Sequence, residues 1–437
     1  MTTYQFWNGL KTIGGNIVEI RTAKARVLCD FGLTVGGQIP AKQEGISETE
    51  TLIQSGSLPA IEGLYDTTDF KTLSLTSSED SNLETAVFVS HLHLDHMGGL
   101  RQLPEETKVY LSREAYILYN ELVHIGEDLP VSCELIPFDF GNSIEVGDIT
   151  VLPKHSDHDT VGCSAFFIET PTLKMIHSGD FRLSGDHPER VLQWAKEANN
   201  WGADVLLIEG TSFSFKPEKE AEEKTARKSL NEQTLVNELE DMITMNTEDL
   251  FIYNPYIRNV ERMKKIDEII RQHGRTMVWE SSYAHILHTF YPDAKWTLLE
   301  ETLEDKAEVP AYAEKAVTLK ELSDQPGKYV LQNSYKNVHY LEQFEQSCYL
   351  HSNGEPLGEF DPGYAQLQDY LAALNITFIS LGASGHATKE NLLKVAKRAN
   401  AGVTIPWHTF NPELFYEALK GEGLNTFVPE YQKEYQH

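Results

Sequence analysis

Short apolar runs separated by polar turns fill the first half of the chain. The segment GNIVEIRTAKARVLCDFG, residues 15–32, holds two such runs around the polar turn TAKA. Further runs rich in Val, Ile and Phe recur up to Gly210: TAVFVS, KVYLS, ITVLPKHS, CSAFFIET, KMIHSG and ADVLLIEG. Runs of this kind predict β-strands, and their spacing is typical of a β-sandwich with flanking helices.

After Gly210 the pattern becomes an alternation of helical and extended segments. A charged segment of helical period is followed by LFIYN, VERMKKIDEIIRQHG, TMVWES and KYVLQN. Strands that alternate with helices in this way predict a parallel α/β sheet. We therefore expect residues 1–210 and 376–437 to form one discontinuous domain, with an inserted α/β domain at 211–375.

Composition narrows the class of protein. The chain has 437 residues and a formal net charge of −29, which counts against tight, sequence-independent binding of a polyanion. Its four cysteines are scattered, no secretion signal opens the chain, and no apolar run is long enough to span a bilayer. We expect a cytoplasmic protein with free thiols and no membrane partner.

The stretch SHLHLDHMGGL, residues 90–100, concentrates metal-binding side chains in very little chain. His91 and His93 are two residues apart, so in an extended segment their side chains point the same way and can bind one ion. A turn would then aim Asp95 and His96 at a different point. Imidazole and carboxylate suit divalent ions such as Zn²⁺, so the cluster predicts two adjacent metals, with zinc favoured over manganese.

SHLHLDHMGG resembles the defining motif of the metallo-β-lactamase fold superfamily. The resemblance implies an α/β fold, an αβ/βα sandwich with a dinuclear metal site at one edge. It also implies further site residues in chain order: Asp30 supports the site from behind, His155 is the next ligand, and Asp180 bridges the metals. His158, three residues after His155, competes with it for the same role.

Later motifs resemble the β-CASP branch of that superfamily, and a ribonuclease J-like protein in particular. They are IEGT at Glu209, an Asn-x-x-Arg helix at NPYIRNVER, SGHA at His386 and IPWH at His408. The resemblance implies an RNA-cleaving phosphodiesterase that uses a metal-bridging hydroxide. The implied metal ligands are His91, His93, Asp95, His96, His155, Asp180 and His408. The residues implied to contact a substrate phosphate are Ser384, Gly385 and His386. The implied catalytic residues are Asp30, Asp95, Glu209 and His386.

Two departures from ribonuclease J weaken the inference to RNA. Gly382 stands where ribonuclease J carries a histidine, and Thr409-Phe410 stand where it usually has Gly-Glu. DNA therefore remains open as the substrate, and a homo-oligomer remains open as the assembly. Two other hypotheses also stay open: a metal hydrolase of a small ester, amide or phosphoester, and a catalytically silent nucleic-acid-binding homologue.

Overall fold

The structure, a computed structural model, describes residues 1–34, 45–214, 230–305, 309–359 and 361–437. The chain forms two compact units. The first comprises Met1–Leu183, His187–Ala226 and Gly385–His437, and the second comprises Ser184–Asp186 and Arg227–Ser384. The inserted domain predicted from the sequence spans 211–375, and residues 215–229, 306–308 and 360 of that span lie outside the described residues.

The strands of the described residues are numbered in chain order. They are β1 Thr3–Asn8, β2 Ile17–Arg21, β3 Ala25–Cys29, β4 Glu84–Phe88, β5 Lys108–Ser112, β6 Glu134–Phe138, β7 Ile144–Val146, β8 Ile149–His155, β9 Ser164–Glu169, β10 Lys174–His177, β11 Val205–Glu209, β12 Phe251–Pro255, β13 Thr276–Trp279, β14 Trp296–Leu299, β15 Ala313–Val317, β16 Tyr329–Gln332, β17 Cys348–Ser352, β18 Thr377–Ser380, β19 Val403–Trp407 and β20 Glu434–Gln436.

The α-helices of the described residues are numbered in the same way. They are α1 Glu48–Gln54, α2 Leu94–Met97, α3 Arg113–His124, α4 Pro188–Trp201, α5 Glu232–Met245, α6 Val260–Gln272, α7 Ser281–Phe290, α8 Leu319–Asp324, α9 Pro362–Ala373, α10 Lys389–Ala399 and α11 Pro412–Gly421. Each described helix is too short or too polar to cross a lipid bilayer.

The first unit contains two sheets that pack face to face. One has the strand order β20-β1-β2-β3-β4-β5-β6, and the other has the order β19-β11-β10-β9-β8-β7. Val27 and Phe88 of the first sheet share one buried cluster with Phe166, Ile168 and Leu207 of the second. Such interleaving of two inner faces builds a sandwich core.

Helices cover the outer faces of this sandwich. Helix α3 lies on β5 and β6, while α4, α10 and α11 cover the second sheet. A second buried cluster, which includes Trp194 of α4, Val395 of α10 and Phe415 of α11, forms that outer layer. Local signals agree with these helices, because α4 begins with Pro188 and ends before Gly202, whose φ is +71°. The predicted αβ/βα architecture is confirmed.

The second unit is an α/β domain around a parallel sheet of order β15-β14-β13-β16-β12-β17-β18. The interior strand β12 pairs in parallel with β16 on one side and β17 on the other. Parallel strands need crossover connections, which here contain helices such as α6 and α7. The alternation read from the sequence beyond Gly210 therefore corresponds to a parallel sheet.

Candidate metal centre

The ligand-capable side chains of the first unit follow the carboxyl ends of four strands. His91 lies three residues beyond β4, His158 three beyond β8, Asp180 three beyond β10, and His408 directly after β19. Strands β10, β11 and β19 run parallel, so Asp180, Glu209 and His408 meet at one edge of their sheet. The short helix α2, Leu94–Met97, carries Asp95 and His96 beside them.

His91, His93, His158 and Asp180 form the first group of metal-binding side chains, with ligand atoms within 4.8 Å of one another. His93 Nδ1 lies 3.3 Å from His158 Nε2, and His91 Nε2 lies 3.8 Å from Asp180 Oδ2. Burial lowers the pKa of the His158 imidazole to about 3. That histidine therefore stays neutral at physiological pH, the state in which imidazole binds a metal.

Asp95, His96, Asp180 and His408 form the second group. His96 Nε2 lies 3.3 Å from His408 Nε2 and 3.4 Å from Asp95 Oδ2, while Asp95 Oδ2 lies 3.1 Å from His408 Nε2. Asp180 Oδ2 lies 3.2 Å from His96 Nε2 and 3.5 Å from His408 Nε2. Ligand atoms about 2.0–2.2 Å from one tetrahedral ion are about 3.3–3.6 Å apart, so these spacings fit one ion.

Four of the histidines have their outer nitrogen engaged by a group behind them. A metal-binding histidine is usually held in this way, which fixes its tautomer and leaves the other nitrogen for the ion. The contacts are His91 Nδ1 with Ser90 Oγ at 3.0 Å, His96 Nδ1 with Asp30 Oδ2 at 2.8 Å, His408 Nδ1 with Thr211 Oγ1 at 2.7 Å, and His158 Nδ1 with the Gly385 carbonyl.

Buried polar atoms at the centre of the cluster test whether it fits a cation. Asp180 and His91 are each 1% exposed, yet within the described residues neither oxygen of Asp180 nor Nε2 of His91 makes a hydrogen bond of good geometry. Burial alone would raise the pKa of Asp180, but His408 and His96 hold it well below its usual range. A buried carboxylate that stays ionised with free lone pairs fits a position between two cations.

The backbone around the cluster is strained at two non-glycine residues. Asp30 has φ +62° and His408 has φ +51°, in the left-handed region that few side chains adopt. Such residues persist where the surrounding structure over-determines them, often at functional sites. Asp30 is held by hydrogen bonds from the Ser90 amide at 2.7 Å and the Ser90 hydroxyl at 3.0 Å. Its Oδ2 in turn contacts His96 Nδ1, so Asp30 lies behind that histidine.

Glu209 and His386 lie beside Asp180 and form a third group with it. His386 Nδ1 lies 3.8 Å from Asp180 Oδ2 and 3.8 Å from Glu209 Oε2. Burial, together with the charge of Asp180, raises the pKa of Glu209 to about 8. Glu209 thus lies next to a histidine whose side chain is 25% exposed.

His155 was predicted as a ligand, but the structure places it outside the metal-binding groups. It is the exposed last residue of β8 and stacks on Phe140 with ring centroids 3.6 Å apart. His158 takes the predicted place in the first group. The physical reason is the end of β8: His155 shares a strand face with the buried Val151 and Pro153, but as the last residue of the strand it is exposed, and the chain then turns at Ser156 and Asp157 to bury His158.

The SGHA turn has a supporting role that the sequence did not predict. The Gly385 carbonyl accepts the hydrogen bond from His158, and a Cβ at Gly385 would lie 2.9 Å from the His158 ring. Ser384 is exposed and belongs to the second unit, so its contact with a substrate phosphate stays a prediction. The following helix begins at Lys389, and Thr388 caps it by accepting from the Asn391 amide.

Three other residues of the site were missed in the sequence. Asn16 is fully buried, and its Nδ2 lies 3.1 Å from His96 Nε2 and 3.3 Å from Asp95 Oδ2. Thr211 contacts His408, and Asp159 lies against His93. Asn16 and Thr211 gave no signal, because an asparagine before a strand and a threonine after one are common. Asp159 could have been recognised in the sequence, because it directly follows His158 and both side chains can bind a metal.

A family model matches the part of the chain that carries most of the candidate ligands. The model of the beta-lactamase superfamily domain matches residues 73–250, a span that holds every member of the two metal groups except His408. Over its whole length the chain is similar to a crystal structure of a protein of unknown function from Enterococcus faecalis. The two are 29% identical, with a TM-score of 0.84 and 99% of each chain covered.

Curated relatives are more distant. Ribonuclease J of Helicobacter pylori is 22% identical over 311 residues, which cover 65% of this chain and 39% of that protein. An RNase J-like protein of Methanocaldococcus jannaschii is 24% identical over 287 residues, which cover 59% of this chain and 56% of that protein. The DNA cross-link repair protein pso2/snm1 of Schizosaccharomyces pombe is 26% identical over 150 residues, which cover 33% of this chain and 26% of that protein. The matches thus span between a quarter and just over half of each relative.

Proposed function

We propose that this chain, in which residues 73–250 match the model of the beta-lactamase superfamily domain, is a two-metal hydrolase that cleaves phosphodiester bonds in RNA. The observation that carries the proposal is the meeting of two ligand groups at Asp180. Two ions that share a bridging carboxylate can clamp the attacking and leaving oxygens of one displacement. A single structural ion would need one closed set of ligands and no second group beside it.

The residues that would hold the ions follow from the two groups. His91, His93 and His158 would hold one, and Asp95, His96 and His408 the other, with Asp180 shared. Nitrogen-rich sets completed by carboxylates suit Zn²⁺, with Mn²⁺ as the alternative. When bound, the metals supply a Lewis acid and lower the pKa of water, so that a nucleophile forms near neutral pH.

His386 and Glu209 are proposed to manage protons and charge on the substrate. The His386 ring is partly exposed beside Asp180, so it can donate a hydrogen bond to a phosphate oxygen and a proton to the leaving oxygen. Glu209 is fully buried and its Oε2 lies 3.8 Å from His386 Nδ1, so it is placed to exchange a proton with that histidine. Asp30 orients His96 and does not contact the substrate.

The relatives support a nucleic acid as the substrate. Two ribonuclease J-type proteins and a DNA cross-link repair protein align with this chain at 22–26% identity. We propose that the second unit is the β-CASP-like insertion, because it is an α/β domain that lies between the Glu209 and His386 motifs in the chain. DNA remains the alternative polymer. The cytoplasmic location and a homo-oligomer stay predictions.

The net charge of −29 favours a second candidate, a hydrolase of small esters, amides or phosphoesters. A surface with so strong a negative field repels a polyanion at low salt. The two candidates share the metal centre and differ in the size of the substrate.

Cleavage of labelled nucleic acids separates these candidates. Zinc- or manganese-loaded protein is incubated with end-labelled RNA and DNA that carry either a 5′-phosphate or a 5′-hydroxyl, and with bis(p-nitrophenyl) phosphate. The proposal expects RNA to be cleaved in preference to DNA, with no cleavage after the metal is removed. Hydrolysis of the small diester without cleavage of either polymer would favour the small-molecule hydrolase.

The variant His386→Ala tests the proton-handling role within the same assay. It should leave the metal content unchanged and lower turnover by about 10²–10³-fold, the usual cost of losing one transition-state donor. Full activity in this variant would show that the reaction needs only the metal ligands.

A further inference from the structure

Asp159 directly follows His158 and lies against two histidines of the first group. Its Oδ1 is 3.1 Å from His93 Nε2 and 3.4 Å from His158 Nε2, and its side chain is 13% exposed. The resemblance and the family motifs assign it no role. His93 Nδ1, the other nitrogen of that ring, faces His158 Nε2 at 3.3 Å. Asp159 therefore occupies the outer side of His93 while the inner side meets the metal group.

The arrangement matches what the second group has at His96. There the Asp30 carboxylate contacts the outer nitrogen of His96 at 2.8 Å. Carboxylate–histidine pairs of this kind fix the ring of a metal ligand and make its inner nitrogen a stronger donor. His91, His158 and His408 are held by a hydroxyl or a carbonyl, which are neutral groups. Each metal group would thus have one histidine backed by a carboxylate.

The SGHA turn fixes where the Asp159 side chain can lie. A Cβ built at Gly385 would be 2.7 Å from Asp159 Oδ2, which is closer than real contacts allow. The turn therefore packs directly on the carboxylate, while its Gly385 carbonyl accepts from His158. The turn therefore restricts the Asp159 side chain and keeps it against His93.

We propose that Asp159 is a positioning residue for the first metal group, and that it sets the affinity of that group through His93. The carboxylate holds the His93 ring with Nδ1 directed inward and places a negative charge close to the first ion. The inference rests on the metal centre and is independent of whether the substrate is RNA, DNA or a small molecule.

Metal titration tests this role without any enzyme assay. Metal-free protein is titrated with Co²⁺, and the visible absorption of the bound ion is followed to saturation. His158→Ala, which removes a first-group ligand, identifies the part of the titration that belongs to this group. Asp159→Ala should weaken first-group binding by about 10–100-fold and leave second-group binding unchanged. Asp159→Asn keeps a hydrogen-bond acceptor, so it should weaken first-group binding less than Asp159→Ala does.

Asp157→Asn is the matched control, because Asp157 lies in the same loop and is buried. It accepts hydrogen bonds from Arg182 at 3.4 Å and from the His187 amide at 2.9 Å, and it belongs to neither metal group. It should bind Co²⁺ with wild-type affinity. Equal weakening in Asp157→Asn, wild-type affinity in Asp159→Ala, or loss of a whole equivalent in both Asp159 variants would each overturn the positioning role.

Discussion

Two buried carboxylates, Asp180 in the first unit and Glu280 in the second, have opposite surroundings. Glu280 is 2% exposed and accepts hydrogen bonds at both oxygens: from the Ser334 amide and hydroxyl at 2.8 and 2.7 Å, and from the side-chain amides of Asn333 and Asn337 at 3.3 and 2.8 Å. Asp180 is as deeply buried, and within the described residues neither of its oxygens accepts a hydrogen bond.

The difference separates a structural carboxylate from a functional one. Burying a charge costs free energy that hydrogen bonds or an opposite charge must offset. Donors of the protein do this for Glu280, which joins β13 to the loop after β16. Among the described residues, Asp180 Oδ2 instead lies within 4 Å of nitrogen atoms of four histidines, which are side chains able to bind metals: His91, His96, His386 and His408. Asp180 should therefore control metal binding, and Glu280 should control stability.

Asp180→Asn should have the largest effect. It removes the charge that both metal groups share, so both should lose affinity. We expect turnover to fall about 10³-fold or more, in line with the loss of a group on which a whole catalytic unit depends. Bound metal after reconstitution, measured by mass spectrometry, should fall below two equivalents per chain. Near-wild-type metal content in this variant would remove Asp180 from the bridging position.

A pair of histidine variants tests which residue completes the first group. His158→Ala should lose the first-group ion and lower turnover by at least about 10²-fold. His155→Ala should keep both ions and wild-type turnover, because His155 is exposed and stacks on Phe140. Metal content and activity are measured side by side. The reverse result would restore the original prediction from the sequence.

Glu280→Gln should act on stability and leave the metal centre unchanged. Its amide nitrogen would face the donors that the carboxylate oxygen now accepts from, so we expect the free energy of unfolding to fall by about 1–3 kcal/mol. Urea unfolding measures this. Saturating metal should still raise the melting temperature of Glu280→Gln, because binding to the folded state stabilises it. The same metal should produce a much smaller rise in Asp180→Asn.

Substitution of Glu50 should have the smallest effect on stability, and the sign of its pH dependence follows from the pKa of this side chain. Burial alone would raise its pKa, but hydrogen bonds from the amides of Lys71, Thr72 and Leu73 and from the Thr72 hydroxyl lower it from 4.5 to about 2. A folded-state pKa below the unfolded value adds stability above about pH 4.5 that is lost as the pH falls towards 2.

The variant Glu50→Gln lacks that ionisation. Its deficit in urea midpoint relative to the wild type should therefore be largest near neutral pH and should shrink as the pH falls from 5 towards 2. A deficit that is independent of pH would mean that the side chain contributes by packing alone.

Much of the site could be predicted because its ligands lie in one short motif. His91, His93, Asp95 and His96 fall within six residues, and their chemistry is visible without any fold. Asp180 and His408 were predicted from the resemblance of their surrounding motifs to those of a known family. The parallel sheet of the second unit was predicted from the alternation of strands and helices along the chain.

What the sequence could not provide was the path of the chain between elements. His155 and His158 have the same chemistry, and only the turn at Ser156 and Asp157 decides which one is buried. Asn16 reaches Asp95 and His96 from 79 and 80 residues away in the chain. Such contacts depend on how the sheets pack, and no local pattern records them.

The central claim is that two ions bind on either side of Asp180. Anomalous X-ray scattering from crystals of the zinc-reconstituted protein, recorded at the zinc absorption edge, tests it most directly. The account predicts two peaks, one among His91, His93 and His158 and the other among Asp95, His96 and His408. One peak, no peak, or a peak at His155 would contradict it.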